Sequence, residues 1–521
     1  MATELQGNYS SAESNPKETE EELANEFEKG FFLWDTSKER LEQKVGKLML
    51  SRVGTIITHK AGLKKVRLIH DLRRSLVNAL ATIPERVVLP RILDAVYSII
   101  AAANAIENEE DVWIMVLDFK DAFKHLIVCE EERKYMAGQA ELNGEWGYFS
   151  YLVLLFGAMG GPLLWGRVAA WLMRATTAMF ERNEVNPQCF VDDPLLAVRG
   201  SKKQRTRLAA CAILLWTGLN FRMSWKKGSW AQEAKWIGAT FKVVKDQSKV
   251  IGVDVSIEQD KIDRIKSNVC DLLAQSMVER EKVREFAGLC TWAASVVPAL
   301  RPYAQMMWAA AFAPSAGRET RKRCSRQRIS LPLRWISALV QDASTFLRHV
   351  PSAGYTFTWI LTFDASLEGG GATLHKEGSD KFDYYLISKW TGQDRKSLGA
   401  NEGDPAFQAH WEAYALLVAL WTWKSTLAVT GARLTVRGDA KGVLQDVIAQ
   451  RARNPGINLI IAEMQLAVAF SSLDLTAVHW WSEDNEVCDK LSRGKVTQCL
   501  QQCRETSAAR RTPWKMLAEQ V

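Results

Sequence analysis

The chain is predicted to be a multidomain α/β protein. Its 521 residues and 47% hydrophobic content suffice for two to four cores. Short β-rich runs alternate with segments of helical length, and the alternation occurs twice, on either side of a nearly all-helical stretch and a basic connector. In the first block "KVRLIHDLR", "VWIMVLDFKDAF", "QCFVDDPLLAV" and "AKWIGATFKVV" read as strands from their branched and aromatic content. "GPLLWGRVAAWLMRATTAMFERN" and "KKQRTRLAACAILLWTGLN" have helical length and composition. Ile257 to Phe312 reads as helix, broken where Pro298 and Pro302 lack a backbone N–H. From Arg318 to Arg334, seven Arg/Lys stand against one acid. The second block opens with "YTFTWILTFDASLEGGGATLH", read as strand, glycine-rich turn and strand. A helix "HWEAYALLVALWTWKSTL", a strand "ARLTVRGDA", a further helix and a last strand "DLTAVHWW" follow.

The first 30 residues hold eight Asp/Glu against two Lys/Arg, so residues 1–45 are expected to be a disordered acidic tail. Without that tail the net charge of +7 is more strongly basic, which suits a polyanionic partner. Nine cysteines without C-x-x-C pairs indicate neither a disulfide framework nor a zinc site, and fit a reducing compartment, cytoplasmic or nuclear. The longest apolar run, Tyr151 to Gly166, is interrupted by glycines and Pro162 and is too short to span a bilayer, so no membrane partner is expected.

Asp192 and Asp193 stand side by side between apolar runs, and Asp118 ends the strand "VWIMVL". Like charges at the edge of a core repel and lose hydration, so they require a cationic partner. An isolated Asp pair is most often a solvated turn; three acids at strand ends suggest a metal site. Magnesium prefers oxygen ligands and leaves room for substrate phosphates. Paired ions can stabilise both oxygens of an in-line phosphoryl transfer.

"LDFKDAF" (Leu117 to Phe123), "LLFGAMGGP" (Leu154 to Pro162), "FVDD" (Phe190 to Asp193), "GLNFRMSWKKGSW" and "KWIGATF" resemble, in order and spacing, the palm motifs of reverse transcriptases. "VRLIHDLRRSLVN" (Val66 to Asn78) resembles their fingers segment. The resemblance implies a right-hand polymerase, with fingers and palm at 46–256 and a helical thumb at 257–313. It implies Asp118, Asp192 and Asp193 as the metal-binding triad, Asp193 serving architecture more than ligation. Arg67 and Lys65 would hold the triphosphate. Asp121 and Ala122 would line the nucleotide pocket, and Phe123 would crowd a ribose 2′-hydroxyl. Gly157 would admit nucleotide or template closely, and Lys227 or Lys226 would protonate the leaving pyrophosphate. Trp236, Ile237 and Gly238 would grip the primer. The chain departs from the family at Leu155, often Pro, and at Pro194, which removes a strand donor.

After a basic connection at 314–355, Asp364, Glu412, Asp439 and Asp489 resemble the acidic quartet of retroelement ribonuclease H. "NEVCDKLSR" (Asn485 to Arg493) is similar to that family's final motif. The resemblance covers 356–498, implies an RNase H-like mixed α/β domain, and leaves 499–521 as a tail. His479, among tryptophans, is given no catalytic role. Together the resemblances imply DNA synthesis on RNA and DNA templates with cleavage of RNA in hybrids. Magnesium, or manganese in its place, would act as two ions per site. The implied partners are an RNA template, a DNA primer, RNA–DNA hybrid and deoxynucleoside triphosphates; the oligomeric state is left open. A retrotransposon of long-terminal-repeat or tyrosine-recombinase type would be the source. The competing reading is a decayed or domesticated copy that binds nucleic acid without turnover.

Overall fold

The strand Asp111–Val116 lies between Ser229–Ala231 and Asp193–Gly200, and Val185–Phe190 completes an antiparallel sheet of four strands. The computed structural model describes residues 7–60, 63–106, 110–247, 249–314, 322–341, 346–352, 357–401, 404–428, 432–470 and 474–509. They fall into two compact units, Met1–Ile237 and Gly238–Val521. In the first unit the helices Ile92–Asn104, Gly161–Ala178 and Lys202–Gly218 pack on the sheet. Leu195, Leu196, Ala197 and Val198 are completely buried, which explains why this strand reads as a continuous apolar run rather than an alternating one. Each such leucine contributes about 1.5–3 kcal/mol by leaving water. Leu196 and Val198 join Trp165, Leu172 and Trp216 in one core, which fixes the sheet against its helices.

The start of the segment Val66 to Asn78 lies in the hairpin Val53–Lys60 and Leu63–His70. A separate sheet runs in the order Phe32–Asp35, Glu145–Tyr151, Ala137–Leu142, Leu50–Ser51. The acidic start departs from expectation. Its described part forms the helices Pro16–Glu28 and Lys38–Val45 and the strand Phe32–Asp35. Leu23, Phe31 and Phe32 are buried in one core with Leu68, Phe149 and Tyr151, and Glu18 and Glu26 are paired with Lys64 and Lys124. Cations supplied from distant sequence offset the charge density that suggested disorder.

In the second unit Ala239–Asp246 and Lys249–Ile257 form a hairpin whose outer strand pairs with Leu347–Pro351. That pairing ties the hairpin to residues expected in the connection, and the unit boundary falls at 237/238 rather than after residue 256. The helices Gln259–Ala274, Arg280–Ala293 and Arg301–Phe312 follow; Pro298 and Pro302 open helical turns, where a missing N–H costs nothing. Residues 327–339 of the basic connector are a helix that buries Ile329, Leu333 and Ile336, so this half is packed structure rather than a linker. Residues 315–321 lie outside the described residues.

A mixed sheet of six strands ends the unit, in the order Asp474–His479, Ala432–Gly438, Phe357–Ala365, Gly369–Lys376, Tyr384–Lys389, Arg504–Glu505. The last strand lies in the expected tail. The helices Gln408–Thr422 and Pro455–Phe470 join one face through Leu361, Phe363, Leu416, Leu417 and Ile460. Gly369, Gly370 and Gly371, expected in a turn, instead begin a strand. A Cβ on Gly371 would lie 2.4 Å from Leu491 Cβ, so the missing side chain admits the helix Glu486–Ser492 against the sheet. All nine cysteines are free thiols, and no described helix is long and apolar enough to cross a membrane.

Candidate active sites

In the first unit, pairing of the two central strands brings Asp118 to the Asp192 hairpin. Leu117 N–H donates to the Pro194 carbonyl at 3.1 Å and Phe119 N–H to the Asp192 carbonyl at 2.7 Å. Pro194 therefore loses its own donor but keeps its acceptor bonded. On the other flank Ser224 N–H donates to the Asp118 carbonyl at 2.8 Å, placing the segment that carries Lys227 beside the acids. The turn between the hairpin strands puts Val191 at φ 54, a region a β-branched side chain rarely adopts and one that costs about 1–3 kcal/mol. Trp165 Nε1 donates to the Val191 carbonyl at 2.6 Å, and Cys189 Sγ does so at 3.2 Å, which holds the strained turn.

Burial raises the Asp192 carboxyl above its ordinary range, and Asp118 adds to the effect while Lys227 and Arg67 oppose it. Burial, then Asp192 and Asp118, push Asp193 up to about 6. Lys227, expected to be a proton donor, is paired with Asp118 Oδ1 and supplies positive charge to the cluster. Asp193 also has an architectural contact, because its backbone carbonyl accepts from Trp236 Nε1 at 2.8 Å. Trp236 is buried, Ile237 has φ 43 and Gly238 φ 84. A Cβ on Gly238 would approach Trp292 to 2.8 Å, so glycine is required there.

Lys65 and Arg67 face Thr58 and Ile56 across the hairpin Val53–His70 and point to its exposed side, while Leu68 and His70 point inward. Asp121, at φ 56, starts the short helical turn Ala122–His125. Ala122 is buried; Phe123 is half-buried between two cores and meets Phe156 edge-on at 5.8 Å. Gly157 adopts φ +103, which explains the glycine directly. Asn78, which the sequence did not single out, clasps this loop. Its Nδ2 donates to the Gly157 carbonyl at 3.0 Å, and its Oδ1 accepts from Met159 N–H at 2.9 Å.

In the second unit, parallel pairing of Thr362 with Arg437 levels the ends of two strands, where Asp364 and Asp439 sit. Glu412 reaches them from the helix Gln408–Thr422, and carboxylate oxygens of all three lie within 4.8 Å of one another. These three acids are close enough to share an ion. Asp489 stands outside the trio, with Arg493 Nη2 donating to its Oδ1 at 2.8 Å, yet its charge still raises Asp364.

Burial pushes Glu412 up to about 9, with Asp364 and then Asp439 adding and the Gln408 bond opposing. Burial pushes Asp364 up to about 7, helped by Asp439 and Asp489. Glu412 Oε2 is buried with no hydrogen-bond partner, an arrangement that costs about 1–3 kcal/mol unless something positive meets it. An all-oxygen donor set with one orphaned oxygen fits a hard divalent cation.

Four further residues orient these acids. Gln408 Nε2 donates to Glu412 Oε1 at 2.9 Å, Asn485 Nδ2 to Asp364 Oδ1 at 3.3 Å and Ser482 Oγ to Asp439 Oδ2 at 2.7 Å; Arg493 holds Asp489. Gln408, on the helix of Glu412, and Arg493, which caps the helix of Asp489, each sit four residues from their acid, a spacing legible in sequence; Asn485 and Ser482 act across the fold. His479 meets Trp481 edge-on at 4.7 Å.

Residues 58–241 match the family described as reverse transcriptase (RNA-dependent DNA polymerase), which identifies a reverse transcriptase domain in this chain. Among curated proteins the sequence finds no match. Among solved structures the chain is similar to a foamy viral protease-reverse transcriptase in complex with double-stranded DNA, with a TM-score of 0.47 and 12% identity over 92% of this chain and 85% of that one. For the complex of foamy viral protease-reverse transcriptase with RNA/DNA hybrid the TM-score is 0.46 and the identity 12%, over 92% of this chain and 56% of that one.

Proposed function

We propose that the chain is an RNA- and DNA-templated DNA polymerase with ribonuclease H activity, from a retrotransposon of long-terminal-repeat or tyrosine-recombinase type, working in the cytoplasm or nucleus. The observation that carries this reading is the reverse transcriptase match over 58–241, a span in which Phe119 N–H bonds the Asp192 carbonyl at 2.7 Å and so joins the two acidic motifs. The ribonuclease H part is supported by the Asp364, Glu412 and Asp439 trio and the partnerless Glu412 oxygen.

Asp118 and Asp192, with Asp193, would hold magnesium at the polymerase site, and Asp364, Glu412, Asp439 and Asp489 at the nuclease site. Bound there, such ions supply charge that stabilises the attacking and departing oxygens of phosphoryl transfer. Arg67, whose charge already reaches Asp192, neutralises the triphosphate. Phe123 excludes a 2′-hydroxyl by occupying its space. Lys227, once Asp118 is neutralised otherwise, is placed to give its proton to the leaving pyrophosphate. At the second site Gln408, Asn485 and Ser482 keep three carboxylates aimed at a common point. Copying RNA leaves a hybrid, and the nuclease removes the used template.

Extension of a primed RNA template with deoxynucleotides and magnesium tests the reading. Extension by the wild-type chain and its loss, by about a hundredfold or more, in Asp192→Asn is the expected result. Equal extension by both proteins would remove the assignment. Hybrid binding without extension by the wild type would favour the decayed copy.

A further inference from the structure

The acidic helix Pro16–Glu28 makes contacts that the polymerase motifs do not account for. Glu26 is only 5% exposed, and both of its oxygens are engaged. Tyr151 OH donates to Oε2 at 2.5 Å, and Lys124 is paired with Oε1. Lys124 follows Phe123 directly in the turn Ala122–His125. Just after the helix, Lys29 lies 3.8 Å from Asp121, which starts that turn in a left-handed conformation and has a buried Oδ2 without a hydrogen-bond partner. Lys29, Lys124 and Arg222 stand 5.7, 5.2 and 5.3 Å from the centre of the Phe31 ring, a geometry in which each cation is drawn to the ring face. Glu22, one turn before Glu26, is raised by burial and then by Glu26. The turn bearing Phe123 is thus held at Asp121 by Lys29 and at Lys124 by Glu26, that is, by the helix Pro16–Glu28 and the residue that follows it. A strained turn needs such anchors to stay in place.

We propose that Glu26 is a positioning residue for sugar selection: through Lys124 it fixes where Phe123 stands in the nucleotide pocket. The inference rests on the polymerase reading above and on the role of Phe123 within it. A gate discriminates only as sharply as its own position is defined, because a ring displaced by a fraction of an ångström no longer meets the 2′-hydroxyl.

The test is steady-state extension with each deoxynucleotide and its ribonucleotide counterpart, reported as the ratio of their kcat/KM values. That ratio does not depend on how much of the protein is folded. In Glu26→Gln the ratio should fall by about tenfold. Lys124→Met, which leaves Glu26 with Tyr151, should lower it similarly, and the double variant should lower it no further than either single one. A ratio unchanged in both single variants, with only lower Tm or less active enzyme, would overturn the proposal by showing a purely structural contact. Wild-type protein that extends without discriminating sugars would overturn it together with the Phe123 gate. Failure of the wild type to extend at all would remove the polymerase reading beneath it.

Discussion

Glu412 lies so close to Asp364 that the Asp364 carboxylate, second only to burial, pushes the Glu412 carboxyl up to about 9. Two buried acids kept together in this way are unfavourable unless something rewards the arrangement. A cation held between them, as proposed above, would reward the arrangement, and consequences for each half of the chain follow.

Asp439→Asn should abolish cleavage of RNA in a hybrid, by about a hundredfold or more, while primer extension persists. A gel assay of both reactions on one preparation checks this. Cleavage at the wild-type rate would show that the trio is not the nuclease centre.

Phe123→Ala should raise ribonucleotide incorporation relative to deoxynucleotide, with little change in deoxynucleotide kcat. The side chain lies half-buried between two cores, so a loss of about 2–4 kcal/mol in stability is also expected. Competition between the two nucleotides on one template reads the first effect, and urea unfolding the second.

Gly371→Ala should loosen the helix Glu486–Ser492, because the new Cβ would meet Leu491 Cβ at 2.4 Å and Ser492 N at 2.6 Å. Overpacking of this kind costs about 1–3 kcal/mol. Asp489 would move with the helix, so hybrid cleavage should fall and extension should not. Unchanged melting and cleavage would contradict the packing.

His70 sets a pH dependence in the first unit. Burial lowers its pKa to about 3 from an ordinary 6.5, so the folded chain keeps it neutral. The unfolded chain binds the proton first as pH falls. The stability His70 contributes is therefore complete above pH 6.5 and is lost between there and about 3. At pH 5 the loss amounts to about 2 kcal/mol. A His70→Phe variant should lose less stability than wild type between pH 7 and about pH 5, measured by urea unfolding at each pH. Parallel slopes for the two proteins would refute the assignment.

Strands and helices around the acids were legible because their patterns are local. The run from Leu195 to Val198 needs no distant residue to read as a buried strand. The order of the acidic motifs was equally plain, and the first block agrees with the family match over 58–241. Other features were hidden because their cause is remote in sequence. Eight acids in the first 30 residues looked like a solvated tail, yet Lys64 and Lys124 offset Glu18 and Glu26. Gly369 to Gly371 looked like a turn, yet they begin a strand, and Leu491 and Ser492, more than a hundred residues later, leave no room for a side chain at Gly371.

The sequence by itself determined the types of the strands and helices that carry the acids, since apolar periodicity and residue chemistry are properties of short segments. Only the tertiary structure decided how close those acids come, that Lys227 rests on Asp118, that Arg493 holds Asp489, and that Glu26 reaches Lys124. Charge interactions depend on separation in space and on burial, and neither is written along the chain.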